Sequence, residues 1–143
     1  SERKVEMFLR DKAGWILKKM AHFKKIGNVV KIGGGRKEYL KHKEQARQLV
    51  LRTIEDINKD ARFVFNRIAI RNNKSRWGSC SKKGNLNFNY RIIFLPEHLV
   101  KYLVVHELSH LKEFNHSHRF WNLVGEYVPD YKKVTKELKK NIF

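Results

Sequence analysis

The sequence has one cysteine, Cys80, and two prolines among its 143 residues. A single cysteine excludes an internal disulfide framework and a zinc site built from several thiolates. No apolar run approaches the roughly 20 residues that a membrane-spanning helix needs, and the opening Ser1-Glu2-Arg3-Lys4 lacks a secretory pattern. These absences predict a reducing, cytoplasmic setting and no membrane partner.

Acidic side chains are also scarce, with 14 Asp and Glu against 32 Lys and Arg, for a formal net charge of +18 at pH 7. The basic residues are spread along the chain, and such a field attracts polyanions. One hypothesis is a nucleic-acid partner, and the other is a solvated, lysine-rich surface. No helix-turn-helix, zinc-finger or RNP pattern supplies base-reading chemistry, so the sequence leaves both open.

The first third of the chain predicts two helices and a connector. Residues 2–25 form a basic amphipathic helix, and residues 27–37, with three consecutive glycines at 33–35, form a flexible connector. A second helix runs from Glu38 to about Lys59, and its inward side carries Leu40, Ala46, Leu49, Val50, Thr53 and Ile57. We therefore predict a division between residues 1–37 and a domain over residues 38–143, within one compact unit of this length.

The middle of the chain predicts short strands. Residues 67–71 are β-like, and Leu86, Phe88, Tyr90 and Ile92 alternate with polar residues in the two-residue period of a half-buried strand. Residues 76–80 should pair with residues 85–90, because Gly84 provides the glycine of a short hairpin loop. The fold class expected is therefore α+β, with a small antiparallel sheet leading into the next helix.

Residues 96–114 read as one buried helix that contains polar side chains. Pro96 suits a first helical position, and the apolar stripe consists of Leu99, Val100, Leu103, Val104, Leu108 and Leu111. The helix also contains His106-Glu107-Leu108-Ser109-His110. Two histidines and a glutamate are costly to bury without partners. A bound metal ion is the simplest compensation.

The motif's spacing matches the chemistry of zinc hydrolases. His106 and His110 are four residues apart, so both imidazoles lie on one helix face and reach one ion. Glu107 projects roughly 100° away from His106, which places it to contact a metal-bound water as a general base. A catalytic zinc has three protein ligands and one open position, so we expect one zinc ion per chain and a third ligand nearby.

Two histidines compete for the third position. The spacing from His110 to His116 is that of the metzincin pattern, which favours His116 and leaves His118 exposed or behind the ligands. Glu113 stands where metzincins have a turn-forming glycine, so Asn115, which tolerates a left-handed backbone, is the expected turn residue. No methionine follows the motif, so a metzincin proper is not expected.

Five stretches resemble the YgjP-like metallopeptidase family, relatives of the SprT-like proteases. They are Ser-Arg-Trp-Gly-Ser-Cys-Ser at 75–81, residues 86–96, His-Glu-Leu-Ser-His at 106–110, Asn-His-Ser at 115–117 with Phe-Trp at 120–121, and Pro-Asp-Tyr at 129–131. The resemblance is strong from about residue 75 to 141 and looser over the preceding helix. It implies a zincin-like peptidase core with His106, His110 and His116 as zinc ligands and Glu107 as base. SprT-like relatives cut proteins bound to DNA.

The sheet suggests how a polypeptide substrate would bind. Zinc peptidases commonly hold an extended substrate as an added strand at a sheet edge, and Trp77, Gly78, Ser79 and Cys80 form the candidate edge. The alternative is that Trp77 belongs to the core and Gly78-Ser79 is a bend. For the oxyanion-stabilising group the candidates are Tyr90, Tyr127, Tyr131 and Arg119.

Two other function classes stay open. A metal-dependent phosphohydrolase acting on nucleotides could use the same ion to polarise a phosphoryl oxygen. A basic nucleic-acid-binding module with a vestigial metal site is the other, although the intact His-Glu-x-x-His motif argues against it. The sequence does not indicate an oligomeric state.

Overall fold

The computed structural model describes residues 35–140. The elements in chain order are α1 (Arg36–Ile57), β1 (Arg67–Arg71), β2 (Gly78–Cys80), β3 (Asn85–Asn89), a 3-10 helix (Tyr90–Phe94), α2 (Glu97–Ser109), α3 (His118–Tyr127) and α4 (Tyr131–Leu138). The predicted N-terminal helix and most of the glycine-rich connector lie outside the described residues. The division at residue 37 therefore stays a prediction.

Helix α1 covers the sheet with one apolar side. Ala46, Val50 and Ile54 recur every four residues and are buried, as expected for the core-facing stripe of an amphipathic helix. The prediction that Leu40 packs inward is wrong, because its side chain is 54% exposed. Leu40 lies in the first two turns of the helix, before the buried stripe begins at Ala46.

The three strands form a mixed sheet in the order β1-β3-β2. β2 and β3 are antiparallel, as predicted, and Gly84 in their hairpin loop has a φ of 82°, a left-handed conformation that glycine adopts without strain. β1 pairs in parallel with β3, so the expectation of a wholly antiparallel sheet needs correcting. The chain reverses once between β1 and β2 and again in the hairpin, which leaves β3 running in the direction of β1.

β3 is shorter than its alternating pattern suggested. The strand ends at Asn89, whose side-chain Oδ1 accepts a hydrogen bond of 3.0 Å from the Arg91 N–H and caps the 3-10 helix. Tyr90 and Ile92 are nevertheless fully buried. Their apolar character reflects burial in this helix rather than a continued strand.

Helix α2 runs through the centre of the molecule and packs against α1, α3, α4 and β2. Pro96 caps it instead of occupying its first turn, and the helix ends at Ser109, five residues before the predicted end. After Ser109 the chain passes into a turn, in which the Leu111 N–H donates to the Leu108 carbonyl and the Lys112 and Glu113 N–H groups donate to the Ser109 carbonyl. The prediction of an α+β fold with a small sheet packed on the histidine-bearing helix is confirmed. Over residues 35–140, no helix combines the length and apolarity needed to cross a membrane.

Candidate metal centre

Three histidines converge at the end of α2. His106 lies in the last turn of the helix, His110 caps its C-terminus, and His116 follows in the turn before α3. One ring nitrogen from each lies within 4.8 Å of the others, and the Nε2 atoms of His106 and His116 are 3.3 Å apart. Two nitrogens bound to a tetrahedral zinc at about 2.05 Å would be separated by about 3.3 Å. The donor set and its spacing therefore fit a zinc ion.

The turn after α2 brings His116 back over the helix end. At the start of this turn the Lys112 and Glu113 N–H groups donate hydrogen bonds to the Ser109 carbonyl. At its end the Ser117 N–H donates to the Asn115 carbonyl at 2.8 Å. The expectation that Asn115 would adopt a left-handed conformation is wrong, since no non-glycine residue in the described part of the chain has a positive φ. Hydrogen bonding to the backbone closes this turn, so a glycine at the position of Glu113 is not required.

Two hydrogen bonds orient the imidazoles on α2. The Glu113 carbonyl accepts a hydrogen bond of 3.2 Å from His110 Nδ1, which leaves Nε2 as the side of the ring that can bind an ion. His106 Nδ1 lies 3.3 Å from the Tyr102 hydroxyl oxygen, and donation from Nδ1 leaves His106 Nε2 facing His116. The contact of Tyr102 with His106 was not predicted from the sequence. The four-residue spacing of the two residues could have indicated it, because residues four apart lie on one face of a helix.

Aromatic side chains from α3 support the rings from behind. Phe120 stacks on His110 with ring centroids 4.4 Å apart, and Trp121 stacks on His116 at 5.9 Å. Tyr131 stacks in turn on Trp121 at 5.2 Å. Ser117 begins α3, because its hydroxyl oxygen accepts a hydrogen bond from the Phe120 N–H. This capping bond places the aromatic rings against the histidines.

Burial keeps the three imidazoles uncharged. Desolvation lowers the pKa of His106 well below its usual value, with further lowering from His110 and His116. Desolvation also lowers the pKa of His110, against the raising effect of its hydrogen bonds to backbone carbonyls. The pKa of His116 falls to about 4, mainly through burial and secondarily through His110. Neutral imidazole is the form that binds a metal ion.

Glu107 lies beside the sheet, close to Gly78. Its side chain is 3% exposed, and a Cβ atom added to Gly78 would lie 3.1 Å from Glu107 Oε2 and 3.0 Å from the Asn87 carbonyl oxygen. A side chain at position 78 would therefore press on the carboxylate. The absence of a side chain at Gly78 gives Glu107 its space between α2 and the edge strand.

β2 is an edge strand of the described sheet. The Asn89 N–H donates to the Trp77 carbonyl, and the Ser81 N–H donates to the Asn85 carbonyl. Because hydrogen-bonding direction alternates along a strand, the backbone polar groups of Gly78 and Cys80 point away from β3. Trp77 is 3% exposed, so its side chain belongs to the core, as the alternative interpretation had it, whereas Ser79 and Cys80 are half-buried.

The structure separates the remaining candidates. His118 is the first residue of α3, and its side chain is exposed. It does not belong to the group of three histidines that converge. Of the oxyanion candidates, Tyr131 stacks on Trp121, which in turn stacks on His116, and Arg119 is exposed on α3. Tyr90 packs on Tyr39 of α1. Tyr127 lines a separate groove of about 970 Å³, between the end of α1 and the start of α2, whose lining includes none of the three histidines.

Comparisons with known proteins give one family. Residues 35–141 match the family described as the YgjP-like metallopeptidase domain. No curated protein matches the chain. A solved structure of a metallopeptidase zymogen, abylysin of Pyrococcus abyssi, is 26% identical, covers 68% of this chain and 99% of its own, and superposes with a TM-score of 0.47.

Proposed function

The chain belongs to the YgjP-like metallopeptidase family, and we propose that it is a zinc-dependent peptidase that uses Glu107 as its general base. The observation that carries the zinc assignment is the convergence of three imidazole nitrogens within 4.8 Å of one another at the end of α2. The position of Glu107, next in sequence to one of these histidines and buried beside the edge strand, supports its role as base.

His106, His110 and His116 would hold the ion. Three neutral imidazoles suit zinc and leave one position open, as catalytic zinc sites require. When bound, the ion would polarise the substrate carbonyl and lower the pKa of an attached water toward about 7. The hydrogen bonds from His106 and His110 to Tyr102 and to the Glu113 carbonyl hold two of these rings in the required orientation.

Glu107 would move the protons of the reaction. Its carboxylate takes a proton from the attacking water and then gives it to the nitrogen of the leaving amine, so that one side chain serves as base and then as acid. Burial against Gly78 of β2 restricts the carboxylate to one place. A positioned group of this kind contributes about 10²- to 10⁴-fold to the rate.

The substrate would lie as an extended strand along β2. The backbone groups of Gly78 and Cys80 point toward such a strand. Because Gly78 adjoins Glu107, the bound peptide would pass close to the Glu107 carboxylate. Main-chain hydrogen bonds bind a peptide without demanding one sequence. In this proposal Gly78, Ser79 and Cys80 bind substrate, while Trp77 positions the strand from inside the core.

The predictions about cellular setting depend on the sequence alone. A cytoplasmic location and contact between the basic surface and nucleic acid both stay predictions. The polypeptide is the substrate of this proposal. A nucleic acid attracted by the basic surface would be a second partner and would bring the enzyme and its substrate together.

Metal dependence is the first test. The chelator-treated protein should cut no unfolded polypeptide, and addition of one equivalent of zinc should restore cleavage. Magnesium, which prefers oxygen ligands, is the matched control and should not restore it. Cleavage that survives removal of all zinc, verified by elemental analysis, would contradict the proposal.

A further inference from the structure

A polar pocket of about 430 Å³ lies on the face of the sheet opposite α2. Ser79 of β2 pairs with Asn87 of β3, and side chains alternate between the faces of a sheet. Both side chains therefore point away from the face on which Gly78 meets Glu107. The lining also contains Asn73, Ser75 and three cationic residues, namely Arg71, Lys74 and Arg76, and no carboxylate is part of it.

Two hydrogen bonds join side chains that line the pocket. Arg71 Nε donates to Asn87 Oδ1 at 3.2 Å, so the Asn87 amide nitrogen faces Ser79 and donates to its hydroxyl oxygen at 3.2 Å. Because the Ser79 oxygen already accepts one hydrogen bond, its own proton can be donated elsewhere. Serine, guanidinium and ammonium donors thus surround one small space, which suits an anion.

Buried side chains fix the loop that carries Lys74 and Arg76. Asn89 Nδ2 donates to the carbonyls of Asn73 and Arg76 at 2.7 and 3.0 Å, and Arg91 Nη1 donates to the Asn73 carbonyl at 2.9 Å. Asn89 and Arg91 are 0% and 2% exposed. The loop backbone is therefore held before any ligand arrives, and a preorganised site loses less entropy on binding.

The pocket is next to the path of the proposed substrate. In a peptide added antiparallel to β2, the residues opposite Gly78 and Cys80 would exchange backbone hydrogen bonds. The residue opposite Ser79 would form the closer, non-hydrogen-bonded pair, with Cα atoms about 4.5 Å apart. Directly opposed residues present their side chains on the same face. The peptide side chain opposite Ser79 would therefore stand at the cationic pocket.

We propose that this pocket is a specificity subsite, and that the enzyme selects polypeptides with an aspartate or glutamate at the position opposite Ser79. The inference rests on the proposed peptidase function and adds a substrate class to it. Lys74 and Arg76 supply the charge, and the Ser79 hydroxyl donates to the carboxylate. Since Gly78 adjoins Glu107, the selected residue lies within about two residues of the scissile bond.

An aspartate scan tests the subsite. One unstructured peptide with a single cleavage site is made as a series, in which Asp is placed at each position in turn and Asn at the same position is the matched control. The zinc-loaded wild type should cut one Asp peptide at least about tenfold faster in kcat/KM than its Asn partner, as expected for a charge-assisted hydrogen bond. At the other positions the two peptides should be cut alike.

Two double variants separate the pocket from the general charge. Lys74→Gln with Arg76→Gln should bring the Asp-to-Asn ratio at that position close to one while cleavage of the Asn peptide persists. Lys132→Gln with Lys133→Gln removes the same charge from the exposed side of α4 and should preserve the ratio. A ratio near one everywhere in wild type, or a similar Asp preference at every position, overturns the subsite but leaves the peptidase intact. Failure to cut any peptide of the series overturns both.

Discussion

Gly78 and Glu107 share one space: a Cβ atom built on Gly78 would lie 3.1 Å from Glu107 Oε2 and 3.2 Å from Glu107 Cγ. The edge strand and the histidine-bearing helix are therefore in contact at the carboxylate itself. A peptide bound along this strand would therefore lie beside the side chain that we propose as the general base.

Replacing Gly78 with alanine should lower kcat by up to about 10²-fold, because the added methyl group displaces the Glu107 carboxylate by a few tenths of an ångström and catalytic geometry is sensitive to such shifts. Zinc content should not change, since none of the three atoms nearest to the added methyl group belongs to a histidine. Steady-state kinetics and elemental analysis measure the two quantities. Gly35→Ala is the matched control, because no atom lies within 4 Å of a Cβ at that position. Wild-type kcat in Gly78→Ala would contradict the role given to this contact.

Replacing Tyr102 with phenylalanine should weaken zinc binding by about 10- to 100-fold, the usual effect of losing a hydrogen bond behind a metal ligand. The ring and its packing stay, while the hydroxyl that lies 3.3 Å from His106 Nδ1 is lost. Competition with a chromophoric chelator measures the affinity. Tyr127→Phe, which removes a hydroxyl away from the histidines, should bind zinc like wild type. Equal affinities in Tyr102→Phe and wild type would show that the contact does not orient the ligand.

The third-ligand assignment distinguishes two neighbouring histidines. His116→Ala should lower zinc occupancy, because it removes one of the three nitrogens that converge. His118→Ala should leave occupancy nearly unchanged, because that side chain is exposed at the start of α3. Elemental analysis after dialysis against a weak chelator provides the comparison. The reverse order of the two variants would assign the ligand to His118.

The sequence predicted the features that depend on local periodicity. The four-residue spacing of His106 and His110, the alternation around Phe88 and the hairpin glycine at position 84 each specify a local geometry, and the structure has the corresponding helix, strand and turn. The lengths of α2 and β3 were overestimated. β3 ends where the Asn89 side chain accepts a hydrogen bond from the Arg91 N–H, and α2 passes into a turn after Ser109. An apolar pattern reports neither feature.

Features that depend on contacts distant in sequence were not predictable in this way. The parallel pairing of β1 with β3 depends on how the chain crosses between strands. The contact between Gly78 and Glu107 joins residues far apart in the chain. The pocket at Arg71, Lys74 and Arg76 includes a loop whose backbone accepts hydrogen bonds from the distant side chains of Asn89 and Arg91. In the sequence these cations are not distinguishable from the general excess of positive charge.

Binding of nucleic acid would show itself in how the affinity depends on salt concentration. If the basic surface releases counterions from duplex DNA, log affinity should fall linearly with log salt concentration, with a slope of about −0.9 for each phosphate contacted, and about −0.7 on single strands. Fluorescence anisotropy with labelled oligonucleotides at several salt concentrations measures it. The absence of binding even at low salt would reduce the net charge of +18 to a property of the solvated surface.

The replacement of Glu107 by glutamine tests the account most directly. If Glu107 acts as the proposed base and not as a ligand, the variant should keep the zinc content and melting temperature of wild type and lose about 10²- to 10⁴-fold in the rate of polypeptide cleavage. The measurement is cleavage of an unfolded protein by zinc-loaded wild type and variant, with and without DNA. Cleavage by Glu107→Gln at the wild-type rate would contradict the mechanism. Hydrolysis of a nucleoside triphosphate by wild type, without cleavage of any polypeptide, would assign the site to a phosphohydrolase.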